Sequence, residues 1–147
     1  MTATTTDLTS APSRTPLIAA LGIAAAAALT AIGTWSALND HPKSKHDATD
    51  YVVTLGMIAV VALLAYGLGV RGASSANPGR RAVVLSVLGF LSNAVFWTGA
   101  PLVLVSASVA CVFLDKDQRG SYGSGSKVAF ALSALTTAAA ITLAITG

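Results

Sequence analysis

Glutamate is missing from this 147-residue sequence altogether, and charged residues of every kind make up only 10% of it, against roughly 25% in an ordinary globular domain. So few charges cannot clothe a water-facing surface of this size. Cysteine occurs once, at Cys111, inside an apolar stretch. A lone thiol excludes an internal disulfide and a multi-cysteine metal site, and leaves a small packing residue. A concentrated basic face is also lacking. The net charge is +3 and the nine Lys and Arg residues are spread over several loops, which argues against nucleic acid as a partner.

What fills the chain instead is hydrocarbon: 54% of residues are apolar and the mean hydropathy is +0.71. The charges cluster and leave uncharged stretches of about 20 residues, the length that spans a bilayer core. A membrane barrel would need short alternating segments, whereas these stretches are continuous and rich in alanine and leucine. Helices satisfy their own backbone hydrogen bonds in lipid. The expected fold class is therefore all-α, a polytopic integral membrane helical bundle.

Residues 1–16, Thr/Ser-rich with Pro12 and Pro16, read as a disordered tail. Residues 17–147 read as a single transmembrane domain with segments at 17–38, 51–70, 83–98, 101–115 and 128–145. Pro16 suits a first helical turn, where its missing N–H costs little. The 17–38 segment is too long for a signal-peptide core, and Trp35 spoils the small-residue cleavage pattern, so an uncleaved anchor is expected. Polar loops separate the segments: "NDHPKSKHDATD" at 39–50, "RGASSANPGRR" at 71–81 and "DKDQRGSYGSGSK" at 115–127.

The decisive stretch is the apolar run from Ala82 to Leu114. As one straight helix it would be about 50 Å long at ~1.5 Å per residue, far beyond a hydrocarbon core of roughly 30 Å. Thr98-Gly99-Ala100-Pro101 offers a turn: glycine can end a helix in the left-handed conformation, and proline can open the next. With that turn, Arg14, Arg71, Arg80, Arg81, Lys116, Arg119 and Lys127 share one side and only Lys43 and Lys45 lie on the other. Without it the cations divide almost evenly. Cytoplasmic loops carry the Lys/Arg excess, so five segments with a cytoplasmic N-terminus are expected, the third and fourth forming a tight hairpin. Trp35, Tyr51 and Trp97 then fall at the outer boundary, where amphipathic rings prefer to sit. Segments three and four are short for a full crossing. A re-entrant hairpin stays open as the alternative, with Trp97 favouring the full crossing.

Several features carry chemistry that must be weighed. Asp40, His41, His46, Asp47 and Asp50 include metal-ligand types, but their spacing matches no metal motif, and a solvated turn is expected. "GSYGSGSK" at 120–127 lacks the Gly-Lys-Ser/Thr ending of a phosphate loop. Asn93, beside Ser92, should face another helix, because an unpaired carboxamide in lipid is costly. Ser106, Ser108, Thr136 and Thr137 could pair with it, or bond back to carbonyls of their own helices. Small residues four apart (Gly22 with Ala26, Gly33 with Ala37, Ala65 with Gly69, Ala134 with Ala138) permit close helix approach. Every Asp, Lys, Arg and His is expected in a tail or loop. That removes the intramembrane ionisable groups on which coupled transport usually depends, and no Ser/His or paired-Asp constellation falls within the bundle. No catalytic, cofactor-binding or metal residue is assigned, no cofactor is expected, and the chain is not expected to be an enzyme.

The stretch "LSVLGFLSNAVFWTGAPLVLVSASVACVFLDKDQRG" at 85–120, followed by "GSGSKVAFALSALTTAAAITLAI", resembles small bacterial multi-pass membrane proteins of unknown function, in which a helical pair turns near a Gly-x-Pro and a Gly-led helix follows. Ser106 and Ser108 stand where such proteins often carry glycine. The resemblance implies no activity and transfers no functional residue; a multi-pass location in the plasma membrane is expected from the apolar segments. The expected role is that of an accessory, scaffold or envelope protein acting through helix–helix contacts. Its partners would be the lipid bilayer and a second copy or another membrane protein. The alternative is a small oligomeric transporter or channel subunit.

Overall fold

The computed structural model describes residues 15–40, 48–71, 77–94 and 99–146, and these form five helices. Helix α1 runs Thr15–Asp40 and α2 runs Ala48–Leu64, continuing as a π-helical stretch over Ala65–Val70. Helix α3 is Pro78–Leu91, α4 is Ala100–Arg119 and α5 is Ser124–Thr146. Among the described residues the fold is all-helical.

Proline and left-handed residues set the boundaries. Asn77, at φ 44°, turns the chain into α3, and Pro78 occupies its first turn, where the missing N–H costs nothing. Gly99 and Gly120, at φ 68° and 71°, bracket α4, and the Gly120 N–H donates to the Lys116 carbonyl at 2.8 Å. That is the glycine-terminated helix end expected for a chain with no Cβ to strain.

The helices overrun the apolar segments. Arg80 and Arg81 lie in the first turn of α3, Asp115, Lys116 and Arg119 in the last turns of α4, and Lys127 in the first turn of α5. The expectation that every Asp, Lys, Arg and His sits in a tail or loop is thus corrected. Backbone hydrogen bonding does not stop where hydrocarbon stops; it runs on until proline or a left-handed residue ends it.

The chain reverses between α3 and α4. Gly89 abuts Pro101, Leu104 and Val105, Ser108 bonds to Ala82, and Gly79 abuts Asp115, so contacts step backward along α4 as they advance along α3. Residues 95–98, with Trp97, lie outside the described residues. Ser126 against Asp115 and Ser133 against Ser108 set α5 antiparallel to α4. Gly22 against Ser106 and Ala26 against Gly99 do the same for α1. Helix α4 is the centre of the bundle, and Val103, Ala107 and Cys111 on it have no exposed surface.

The α3–α4 turn stops short of its neighbours. Gly99 is seated against Ala26 and Ile58, yet α1 continues from Ala26 to Asp40, a further ~20 Å at the helical rise.

Among the described residues two helices are long and apolar enough to cross a membrane: Val52–Val70, with mean hydropathy 2.3, and Ser124–Leu143, at 1.5. Most of each faces outward, with Leu63, Leu68, Val128 and Leu135 among the exposed side chains.

Candidate functional site

The most polar buried point is Asp115, in the last turns of α4 just beyond the apolar run that ends at Leu114. It is 1% exposed. Three helix ends close over it. The Ser126 hydroxyl, from the first turn of α5, donates to Oδ2. The Gly123 N–H donates to the same carboxylate. Arg119 places Nε 2.7 Å from Oδ1, one turn further along α4, although the alignment falls short of a hydrogen bond.

Glycine makes this closure possible. A methyl on Gly79 would lie 3.2 Å from Oδ2, one on Gly123 3.0 Å from it, and one on Gly125 3.3 Å from the Gly79 carbonyl oxygen. Burial by itself raises the Asp115 pKa, because it disfavours the charged form. The Ser126 hydrogen bond, the Arg119 charge and the Gly123 N–H together outweigh it, so the carboxyl is held below its ordinary value. A carboxylate so stabilised is a poor base, and Ser126 is fully buried. The arrangement clamps α3, α4 and α5 together.

Deeper in the bundle a seam of hydroxyls crosses the helix interfaces. The Tyr66 O–H donates to Ser106 Oγ at 2.8 Å, and Ser106 donates to the Val103 carbonyl at 2.8 Å. Ser108 donates across to the Ala82 carbonyl at 2.8 Å and accepts a long bond from Ser133 at 3.4 Å. Ser86 and Thr136 return to Val83 and Leu132 in their own helices. Thr137 likewise bonds back to the Ser133 carbonyl. Matched against protein-family models, curated proteins and solved structures, the chain finds no counterpart.

A second clasp joins α2 to α3. The π-helical stretch bonds Arg71 N–H to the Tyr66 carbonyl, and Arg81 Nη1 donates to the Leu68 carbonyl at 3.0 Å and the Gly69 carbonyl at 3.4 Å. A guanidinium suits carbonyls at the negative end of a helix.

The residues expected from sequence fare unevenly. Ser106 and Ser108 do join helices, but neither pairs with Asn93, whose amide nitrogen and oxygen are buried without a partner among the described residues. Gly22 packs on Ser106, and Gly69 packs on Leu85, as close approach requires. Ala134 and Ala138 face outward. Among the described residues no group of His, Cys, Asp or Glu is placed to hold a metal. His41, His46 and Asp47 lie outside those residues, as do the side chains of Asp40, Asp50, Trp35, Tyr51, Gly33 and Ala37.

The sequence singles out none of Asp115, Tyr66, Ser126 and Gly79 for a role, and it assigns Asp115, Ser126 and Gly79 to polar loops. A signal for Asp115 existed. It lies three and four residues after Val112 and Cys111, hence on the same buried helical face, and glycine-rich stretches flank it on both neighbouring helices.

Proposed function

We propose that the chain is a plasma-membrane bundle of five apolar segments with a cytoplasmic N-terminus, acting through helix–helix contacts as an accessory, scaffold or envelope protein rather than as an enzyme. The observation that carries this reading is the fate of its buried hydroxyls. Ser86, Ser106, Ser108, Ser126, Ser133 and Thr136 each have a partner within or between helices. A catalytic or transport path needs polar groups left for substrate, and these are committed to packing.

The contact face best suited to a partner is the outer side of α2. Gly56 and Gly67 have open space where a Cβ would stand, and Val60 and Leu63 between them are exposed. Glycines at either end of such a stripe let a second helix approach closely. The test is purification in detergent. Gly56→Ile and Gly67→Ile leave the bundle's own packing untouched, so they are expected to preserve unfolding behaviour while abolishing a fixed partner or discrete oligomer. An assembly unchanged by both substitutions would end the reading.

Topology is tested separately. Reporters at Met1 and Gly147 are expected on opposite sides of the membrane. The shallow Gly99 turn makes the α3–α4 hairpin the segment pair of least reach. A single cysteine at Thr98, with Cys111 replaced, is expected to react from outside; reaction only from the cytoplasm would make the hairpin re-entrant.

Asn93 supports a second reading. Its carboxamide, without a partner among the described residues and near the end of α3, would suit the wall of a small polar path in an oligomeric transporter or channel subunit. Substrate-dependent stabilisation of a discrete oligomer, lost in Asn93→Leu, would favour that role.

A further inference from the structure

We propose that the groove between the loop-side ends of α4 and α5 binds one anionic glycerophospholipid of the cytoplasmic leaflet, an inference that rests on the membrane topology proposed above. The groove has a volume of about 280 Å³ and is lined by Val112, Tyr122, Ser126, Lys127 and Phe130. Its chemistry is graded along its length. Val112 and Phe130 form the end toward the apolar segments, whereas Tyr122 and Lys127 lie at the end toward the loop.

A second cation stands at that same end. Lys116 Nζ lies 5.0 Å from the centroid of the Tyr122 ring, a cation–π distance, and Lys116 is one helical turn from Val112 on the face that floors the groove. Arg119 contributes little, because Asp115 already pairs with it. Asp117 is the one acidic residue left nearby among the described residues, and it is exposed to solvent. Lys127 in the lining and Lys116 on the Tyr122 ring thus stand at one end of a groove whose other end is hydrocarbon.

That combination selects the occupant. A soluble phosphate would satisfy the lysines and gain nothing from Phe130 and Val112. A zwitterionic lipid would cover the apolar floor and leave the cationic excess unanswered. An anionic lipid meets both, with acyl chain along Phe130 and headgroup between the lysines. The aromatic ring of Tyr122 belongs at headgroup depth, and the positive end of the α5 dipole at Ser124 adds to the attraction for an anion.

The test uses the full chain in neutral maltoside micelles, with lipid adducts counted by native mass spectrometry and unfolding followed on heating. Dioleoyl phosphatidylglycerol is expected to give a single retained adduct and a raised unfolding temperature; dioleoyl phosphatidylcholine is not. Lys116→Gln with Lys127→Gln is expected to weaken the phosphatidylglycerol adduct about 25-fold, or roughly fivefold for each interfacial cation removed. Lys116→Arg with Lys127→Arg should retain it, and Lys43→Gln with Lys45→Gln, in the opposite loop, should leave it unchanged. Both lysine pairs unfolding alike without lipid guards against misfolding. An undiminished adduct in the Gln variant, equal retention of phosphatidylcholine, or equal stabilisation by inorganic phosphate would each overturn the site. A chain that stays monodisperse once detergent is removed would instead overturn the membrane reading beneath it.

Discussion

Adding one methyl group at Gly22 should force α1 away from the centre of the bundle, and the loss should be recoverable at one other position only. A Cβ there would overlap both Oγ and Cβ of Ser106, while the Ser106 Cα would stand at 3.7 Å, an ordinary contact. Overpacking of this kind costs about 1–3 kcal/mol. Ser106→Gly alone removes the acceptor of the Tyr66 hydroxyl, about 0.6–1.7 kcal/mol in membranes, and gives up roughly 0.5 kcal/mol of helix propensity. Were the two sites independent, the double variant would suffer both losses. The geometry demands otherwise: with the Ser106 side chain gone, the new methyl has room. The double variant is expected to be no less stable than Ser106→Gly alone, a coupling of about 1–3 kcal/mol. Ser106→Ala keeps the obstructing Cβ and should rescue little. The assay is reversible unfolding in mixed micelles with increasing dodecyl sulfate, read by the fluorescence of the two tryptophans. Additivity of the two single losses to within ~0.5 kcal/mol would refute the α1–α4 contact.

Other consequences can be checked in the same assay. Asp115→Ala removes the acceptor of Ser126 and Gly123 and should cost about 2–3 kcal/mol, as hydrogen bonds to a charged group do. Because the Asp115 carboxyl is held below its ordinary value, its contribution is present at neutral pH and is lost as pH falls through that lowered value. Stability of the parent should therefore drop below the usual carboxylate range, while Asp115→Asn should lack that part of the acid slope. Arg81→Gln uncouples the guanidinium from the Leu68 and Gly69 carbonyls and should cost about 1 kcal/mol, with faster hydrogen exchange at the end of α2. Ser108→Ala loses its bond to the Ala82 carbonyl and should cost roughly 0.6–2 kcal/mol. Thr142→Ala, on an exposed position whose hydroxyl donates to the Ala138 carbonyl one turn back, should stay within about 0.5 kcal/mol of the parent.

The reversal at Gly99 was legible in the sequence because three independent constraints agree there: the excess length of the apolar run, the Gly-x-Pro, and the distribution of cations. The helical class followed from continuous apolar stretches in the same way. The helix ends were not legible from hydropathy, which marks where hydrocarbon begins but not where the backbone stops. Asp115 shows the cost of that confusion. Placed in a loop by its charge, it is a buried helical residue because Ser126 and Gly123 replace its water. Tyr66 was hidden for the opposite reason: its ring belongs in an apolar run, and only the three-dimensional position of Ser106 reveals what its hydroxyl does. Asn93 is expected from the sequence to pair across a helix interface, yet among the described residues its carboxamide has no partner, and the serines able to supply one are engaged elsewhere.

Because the central helix α4 follows α1 and α2 in the chain, those two are synthesised with their seam unfinished. The notch at Gly22 and the hydroxyl of Tyr66 have nothing to close on until Ser106 arrives, and Ala26 and Ile58 wait for Gly99 to cover them. An N-terminal fragment ending before α3 should thus behave as a sticky intermediate that invites proteases or chaperones. Supplying residues 77–147 on a second polypeptide should restore it.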